Sequence, residues 1–221
     1  MAATVVASSV VSSRMLAAIA AEHGARHVET LTGFKWLSRA DIDLPACTLV
    51  YAYEEAIGHC VDPASVRDKD GISAAVLACD LSVALRHRGF TLLDALDDLA
   101  RRHGVHTTAS VSRQVADADE AEAVMDRLRT APPDTLAGFG VTVTDLQHAS
   151  GPLRTDAVVL SGGRVDSTGD TTVRVVVRPS GTEPKVKSYI EVRCNDVTDL
   201  GATRSRAAKL MAGLKEDAQR W

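Results

Sequence analysis

The sequence predicts an α/β unit over residues 1–110 followed by an α+β unit over residues 111–221. Three observations carry this. Apolar runs of strand length alternate with helix-period segments through the first hundred residues. A polar, alternating stretch, "VHTTASVSRQV", shifts the composition at 105–117 and marks the boundary. Beyond it, short strand patterns follow one another between single helices, as in a small antiparallel sheet with helices on one face. A chain of 221 residues with 45% hydrophobic content is long enough to bury two cores.

In chain order, "TVVASSVV" reads as a buried strand, and 13–23 places Met15, Leu16, Ile19 and Ala20 at helical spacing before Gly24 stops the run. A second strand at 26–31 leads into a loop, "TGFKWLSRADID", and "CTLVYAY" is a third strand running into the loop "EEAIGHC". A long helix starts near Asp68 or Asp70. Its Ile72, Ala75, Val76, Cys79, Val83 and Leu85 predict one buried stripe, with Gly89 as its stop. Thr91 with Asp94 three residues on approximates a capping box for a second amphipathic helix ending at Gly104. The second unit predicts a helix at 118–130, a "PPD" break, strands at 139–145 and 156–161, two strands flanking a turn at 178–187, and a final helix from about 199.

The net charge of −4 leaves no broad cationic field, which argues against a nucleic-acid surface or a polybasic membrane patch, so basic residues act locally. No apolar run approaches the roughly 20 residues of a membrane helix. The N-terminal segment lacks the basic n-region of a signal peptide. Cys47, Cys60, Cys79 and Cys194 show neither C-x-x-C pairing nor regular spacing, so neither a disulfide framework nor a metal site is expected, and the predicted setting is a reducing cytoplasm.

Three loops concentrate chemistry. In "VVVRPSGTEPKVKSYIEV" a hairpin turn needs only a glycine or Pro-Asp signal, yet Arg178, Ser180, Gly181, Thr182, Lys185 and Lys187 fall within ten positions. Arg178 and Lys187 emerge across the hairpin from one another, and like charges tolerate that best with an anion between them. The alternative is a turn decorated by solvated basic residues. In "YAYEEAIGHC", Glu54 and Glu55 follow a hydrophobic strand, as an exposed strand end or as acceptors for hydroxyl groups. His59 and Cys60 beside them have no partner at metal spacing, which leaves a polar loop contact for His59 and packing for Cys60. In "VRDKDGISAAV", Arg67 and Lys69 stand at a helix N-terminus, where unpaired N–H groups favour anions; an Asp-capped helix with solvated neighbours is the plainer reading.

"RPSGTEPKVK" closely resembles the phosphate-binding loop in the last domain of the α-D-phosphohexomutases, the family of phosphoglucomutases and phosphomannomutases. The resemblance covers nearly the whole chain and maps onto the third and fourth of four domains, implying a three-layer α/β sugar-binding domain followed by a phosphate-binding one. It implies phosphate contacts for Arg178, Ser180, Gly181, Thr182 and Lys187, with Lys187 a point charge where relatives often carry Arg. "EEAIG" resembles the family's sugar-recognition loop and implies roles for Glu54, Glu55 and Gly58. Ala56 stands where many members have Ser, and together with "TGFKW" this looks most like the phosphopentomutase-like and bacterial branch. Thr32, Gly33 and Lys35 are implied as sugar or phosphate contacts, Lys69 and Arg67 as phosphate contacts, while Phe34 and Trp36 read as hydrophobic anchors.

The phosphoserine loop of the Thr-Ala-Ser-His-Asn-Pro type and the Asp-Gly-Asp-x-Asp-Arg loop that holds Mg²⁺ do not occur in this sequence. The resemblance therefore implies no catalytic or metal residue here. It implies the sugar- and phosphate-binding half of an enzyme that interconverts sugar 1-phosphate and 6-phosphate, or pentose equivalents, with Mg²⁺ and a sugar bisphosphate activator belonging to the full-length protein. This chain alone is expected to be inactive, its N-terminal domains supplied in cis or in trans. A piece of a longer protein, a truncated gene product, a subunit of a split mutase and a non-catalytic phosphosugar-binding module are the alternatives; the preferred sugar is not legible.

Overall fold

A computed structural model describes residues 3–166 and 169–221. The chain divides into two units, 1–103 and 104–221. In the first, β1 (Ala3–Ser9) leads through α1 (Met15–Glu22) to β2 (Arg26–Thr30), and the segment after β2 forms a short helix, α2 (Phe34–Leu37), where a plain loop was predicted. β3 (Cys47–Glu54) then turns back into a short β4 (Gly58–Cys60), so "EEAIGHC" is a hairpin. The strand order is β2-β1-β3-β4, parallel except for the β3–β4 pair. One sheet face carries Val5, Ala7, Leu49, Ala52 and Cys60, which form a core with Phe34 and Leu37.

α3 (Gly71–His87) and α4 (Leu92–His103) complete the unit. Asp70 caps α3 by accepting from the Ile72 N–H at 2.9 Å. Thr91 and Asp94 cap α4 reciprocally, the Asp94 carboxylate accepting from the Thr91 N–H at 2.7 Å and the Thr91 hydroxyl accepting from the Asp94 N–H at 3.2 Å. The predicted buried stripe of α3 is corrected by the structure: Leu85 is its buried residue, while Ile72, Val76 and Val83 are 80%, 66% and 54% exposed. The physical reason is that α3 has β4 as its principal neighbour and lacks a second wall against which the stripe could close.

In the second unit β5 (Val105–Gln114) pairs along its whole length with β11, so residues on both sides of position 110 belong to one sheet. α5 (Ala118–Thr130), capped by Asp117, is followed by a two-residue pair, β6 (Thr135–Leu136) and β7 (Phe139–Gly140). β8 (Thr142–Asp145), β9 (Val158–Asp166), β10 (Gly169–Pro179) and β11 (Lys185–Cys194) then build an antiparallel sheet of order β5-β11-β10-β9-β8. α6 (Leu200–Gln219), capped by Asp199, packs Ala207, Met211 and Leu214 onto it, and α5 adds Val124, Met125 and Leu128. Val173, Val175, Val177, Ile190 and Val192 are the sheet's share of this core. No helix among the described residues is long and apolar enough to cross a membrane.

Candidate functional site

The β3–β4 hairpin sends its two adjacent carboxylates in different directions. Glu54 is buried, and its Oε1 lies 3.7 Å from Lys69 Nζ. The same ammonium stands 5.6 Å from the centre of the Phe34 ring. Gly58 is what allows this packing, since a Cβ there would sit 2.8 Å from both Glu54 Cγ and Phe34 Cε2. Glu55 is exposed and accepts from the hydroxyls of Ser9 at 3.0 Å and Ser12 at 3.2 Å. The Ser12 hydroxyl also accepts from the Glu55 N–H at 3.1 Å, so the loop after β1 holds the second carboxylate from both sides. At the hairpin tip Ile57 has φ 59° and is 87% exposed, an unusual backbone for a β-branched residue.

Gly33 (φ 112°) opens α2 with a backbone that a side chain would strain, and the helix puts Phe34 inward and Lys35 outward. Lys35, Arg39, Arg67 and Lys69 line a cavity of about 500 Å³ with Asp68 and Phe34. Arg39 is a cation that sequence reasoning did not single out; it lies in the turn after α2, within a segment that reads from the sequence as a loop. The guanidinium of Arg67 is already engaged, donating two bonds of 2.9 Å to the Asp41 carboxylate and one of 3.0 Å to the Ser38 carbonyl. These bonds from Arg67 hold the Asp41 carboxyl below the usual carboxylate range. The α3 N-terminus is likewise taken up by Asp70. Thr32 precedes this group, half-buried and outside the cavity lining. Of the two aromatic anchors predicted here, Phe34 is buried, but Trp36 is 43% exposed with Lys35 Nζ 5.2 Å from its ring, so it anchors nothing inside.

His59 makes its polar contact with the Tyr51 hydroxyl at 2.9 Å, and Cys60 is fully buried, its thiol pushed up by burial and donating to the Val66 carbonyl.

In the second unit Arg178 of β10 lies directly opposite Lys187 of β11. Tyr189, two residues further along β11, accepts from Arg178 Nη2 at 3.3 Å and lies under the guanidinium at 5.7 Å. The Arg178 Nε–H is buried without a partner among the described residues. The turn between them is closed by Ser180 N–H to the Lys185 carbonyl at 2.8 Å, which leaves Gly181 and Thr182 exposed at the tip. Lys185 is neutralised by Glu183 at 3.0 Å, so Arg178 and Lys187 are the cations this turn offers.

A cavity of about 570 Å³ behind the tip is acidic, with Glu122, Asp126 and Asp156 beside Arg129; neither Arg178 nor Lys187 lines it. Arg129 is locked by Asp126, Asp145 and Asp156. Among the described residues no group of His, Cys, Asp or Glu side chains converges as metal ligands would.

Both units have matches among known proteins. Residues 1–103 match the family model "Phosphoglucomutase/phosphomannomutase, alpha/beta/alpha domain III", and residues 141–202 match the C-terminal domain of the same family. A probable phosphomannomutase of Haemophilus influenzae is 38% identical over 193 residues, 87% of this chain and 37% of the relative. A probable phosphoribomutase of Schizosaccharomyces pombe is 33% identical over 88% of the chain, and a phosphopentomutase of Pongo abelii is 32% identical over 86%. The crystal structure of the Paramecium phosphoglucomutase pp63/parafusin in its open form covers 97% of this chain at a TM-score of 0.64 and 21% identity, a likeness of fold. The chain spans about a third of the length of the relatives it matches, between 33% and 37%. With both family domains matched in order, this chain belongs to the phosphoglucomutase/phosphomannomutase family.

Proposed function

We propose that this chain is the sugar- and phosphate-binding half of a cytoplasmic phosphoglucomutase- or phosphomannomutase-type enzyme that interconverts sugar 1-phosphate and 6-phosphate, or pentose equivalents, through a bisphosphate. The observation that supports this reading is the pairing of Arg178 directly opposite Lys187 across the hairpin, with Ser180, Gly181 and Thr182 in the turn between them. A phosphate between the two cations would relieve the repulsion of two like charges. Ser180, Thr182 and the Gly181 backbone complete the grip. Such a grip reads the phosphate rather than its neighbours, so it suits a bisphosphate that must be held by either end.

The first unit supplies the second part of the reading. Glu55, pre-set by Ser9 and Ser12, offers its remaining lone pairs to sugar hydroxyls, and Glu54 holds Lys69 at the rim of the Lys35–Arg39 cavity. Thr32 and Gly33 shape the approach, and Arg67 contributes field rather than a free fork. The reacting phosphoryl group would be given and received by residues outside this chain, together with Mg²⁺, so the chain alone binds without turning over.

An NMR titration of the 221-residue chain with inorganic phosphate tests this. Shifts should centre on 178–187, with Kd on the order of millimolar for an exposed site, and should weaken with added salt. They should vanish in Arg178→Ala. Equal shifts in parent and variant, or shifts confined elsewhere, would show that the hairpin is only a basic turn.

A further inference from the structure

An acid stands at the tip of a turn whose other charges are positive. Glu183 is exposed, and its carboxylate accepts from Lys185 Nζ at 3.0 Å. The same two residues are joined through their backbones, the Lys185 N–H donating to the Glu183 carbonyl at 2.8 Å across Pro184, whose ring fixes φ between them. Lys185 is half-buried where β11 begins, so the pair is better ordered than one between two free surface side chains. Alternate side chains of a strand share a face, which puts Lys185, Lys187 and Tyr189 on one side of the sheet, each about 7 Å from the next. Arg178 adds to that face from the position opposite Lys187 on β10. Lys185, through its hydrogen bond and its charge, and Lys187, through its charge alone, hold the Glu183 carboxyl below the usual carboxylate range. The acid therefore already lies in the field of a cation to which the phosphate is assigned.

We propose, on the reading of 178–187 as a phosphate grip, that Lys185 is a positioning residue: by engaging Glu183 it keeps the turn's own carboxylate from moving one step along the strand face onto Lys187 and Arg178. A carboxylate and a phosphate take the same bonds from a cationic fork, so Glu183 is a competitor for the place between those two side chains. As part of the same turn it would act at high effective concentration, enough to displace a ligand whose Kd is on the order of millimolar. With Lys185 in place the carboxylate is engaged before it reaches Lys187, the next cation along that face of β11. Lys185 thus serves the phosphate through Glu183 and not by touching it. A direct contact is the other role open to this lysine, and the two roles differ in their dependence on Glu183.

A double-mutant cycle in the 221-residue chain tests this, with inorganic phosphate as the probe and NMR shifts at 178–187 as the readout. Lys185→Gln should raise the phosphate Kd about fivefold, and Lys185→Arg, which keeps a cation in place, should hold it within about twofold of the parent. Glu183→Gln removes the competitor, so Kd should stay within about twofold or fall, and adding Lys185→Gln to it should change Kd by less than about twofold. Without ligand, Lys185→Gln should shift the Lys187 ammonium resonance as the carboxylate arrives there, and Glu183→Gln should cancel that shift. An equal loss from Lys185→Gln in both backgrounds would overturn the proposal, since the lysine would then act on the phosphate directly. So would an unchanged Kd and an unchanged Lys187 signal in Lys185→Gln. A parent chain without phosphate shifts at 178–187 would remove the phosphate reading and this proposal together, whereas a parent that binds with an additive cycle would remove the proposal alone.

Discussion

Gly58→Ala isolates the packing that holds the Glu54–Lys69 pair. Gly58 lies outside the left-handed region, so alanine adds no backbone strain and the cost is steric. The new methyl would meet Glu54 Cγ and Phe34 Cε2 at 2.8 Å and Glu54 Oε1 at 2.9 Å. Real contacts of this kind need several tenths of an ångström more, and neither neighbour has room, since Phe34 is 4% and Glu54 7% exposed. Overpacking of a closed site costs roughly 1–3 kcal/mol. In a unit of 103 residues each kcal/mol lowers Tm by about 4–8 °C. Because the chain holds two units, calorimetry should resolve the first unit's transition from the second, and only the first should move. The Glu54 carboxylate, pushed aside, should also release Lys69, seen as faster exchange of its ammonium protons. An unchanged first transition with an unchanged Lys69 signal would refute the claim that glycine is present here for space.

Three further outcomes follow from single contacts. Tyr189→Phe keeps the ring under Arg178 and loses the hydroxyl acceptor, so phosphate Kd should rise about threefold, and Tyr189→Ala should raise it about tenfold; in an Arg178→Lys background, which keeps a cation but no fork, both effects should shrink if Tyr189 acts by positioning that fork. Asp41, held below its ordinary pKa by Arg67, contributes stability that is present above its unfolded pKa and lost as pH falls through the lower folded one. The first unit should therefore weaken in that acid window, and Asp41→Asn should flatten this part of the Tm–pH curve while lowering Tm at neutral pH. Ile57→Gly removes a β-branched side chain from a left-handed backbone at a position 87% exposed, so the first unit should gain about 1 kcal/mol, read by chemical denaturation.

What the sequence made legible and what it did not divide along physical lines. The helix ends were readable because their chemistry is local: Thr91 with Asp94 caps as read, and Asp70 is the one of the two aspartates offered that caps α3, while Asp117 and Asp199 prove to cap the helices read at 118–130 and from about 199. The Arg178–Lys187 register was readable because a hairpin turn fixes which residues face each other. The fate of the α3 stripe was not, since periodicity shows that a helix has an apolar face but not whether a second wall exists to cover it. The engagement of Arg67 was also hidden, because Asp41 lies 26 positions away and only the tertiary fold brings the two carboxylate oxygens onto its fork. Ser9 and Ser12 were visible as serines after a strand, at the end where α/β folds place ligands, but their grip on Glu55 depends on a contact across more than forty residues.

The two basic sites differ in a way that sets their relative strength. In the first unit Arg67 is paired with Asp41 and Lys69 with Glu54, and Asp68 lines the same cavity. An anion entering there gains little from Arg67 unless it competes with a bidentate carboxylate, and gains from Lys69 only by sharing it with Glu54. In the second unit Arg178 has a neutral partner in Tyr189 and an unpartnered Nε–H, so an anion displaces no carboxylate from it. The hairpin should therefore bind a lone phosphate, while the first cavity should need a ligand that also occupies Glu55 or the remaining cations, Lys35 and Arg39. A sugar phosphate offers both a charge and hydroxyls, so on the proposed function selectivity between ligands would belong to the first unit and grip on phosphate to the second. Titration with inorganic phosphate and with a hexose phosphate separates the two: shifts at 35–69 should require the sugar, and phosphate alone moving 35–69 as strongly as 178–187 would contradict this division.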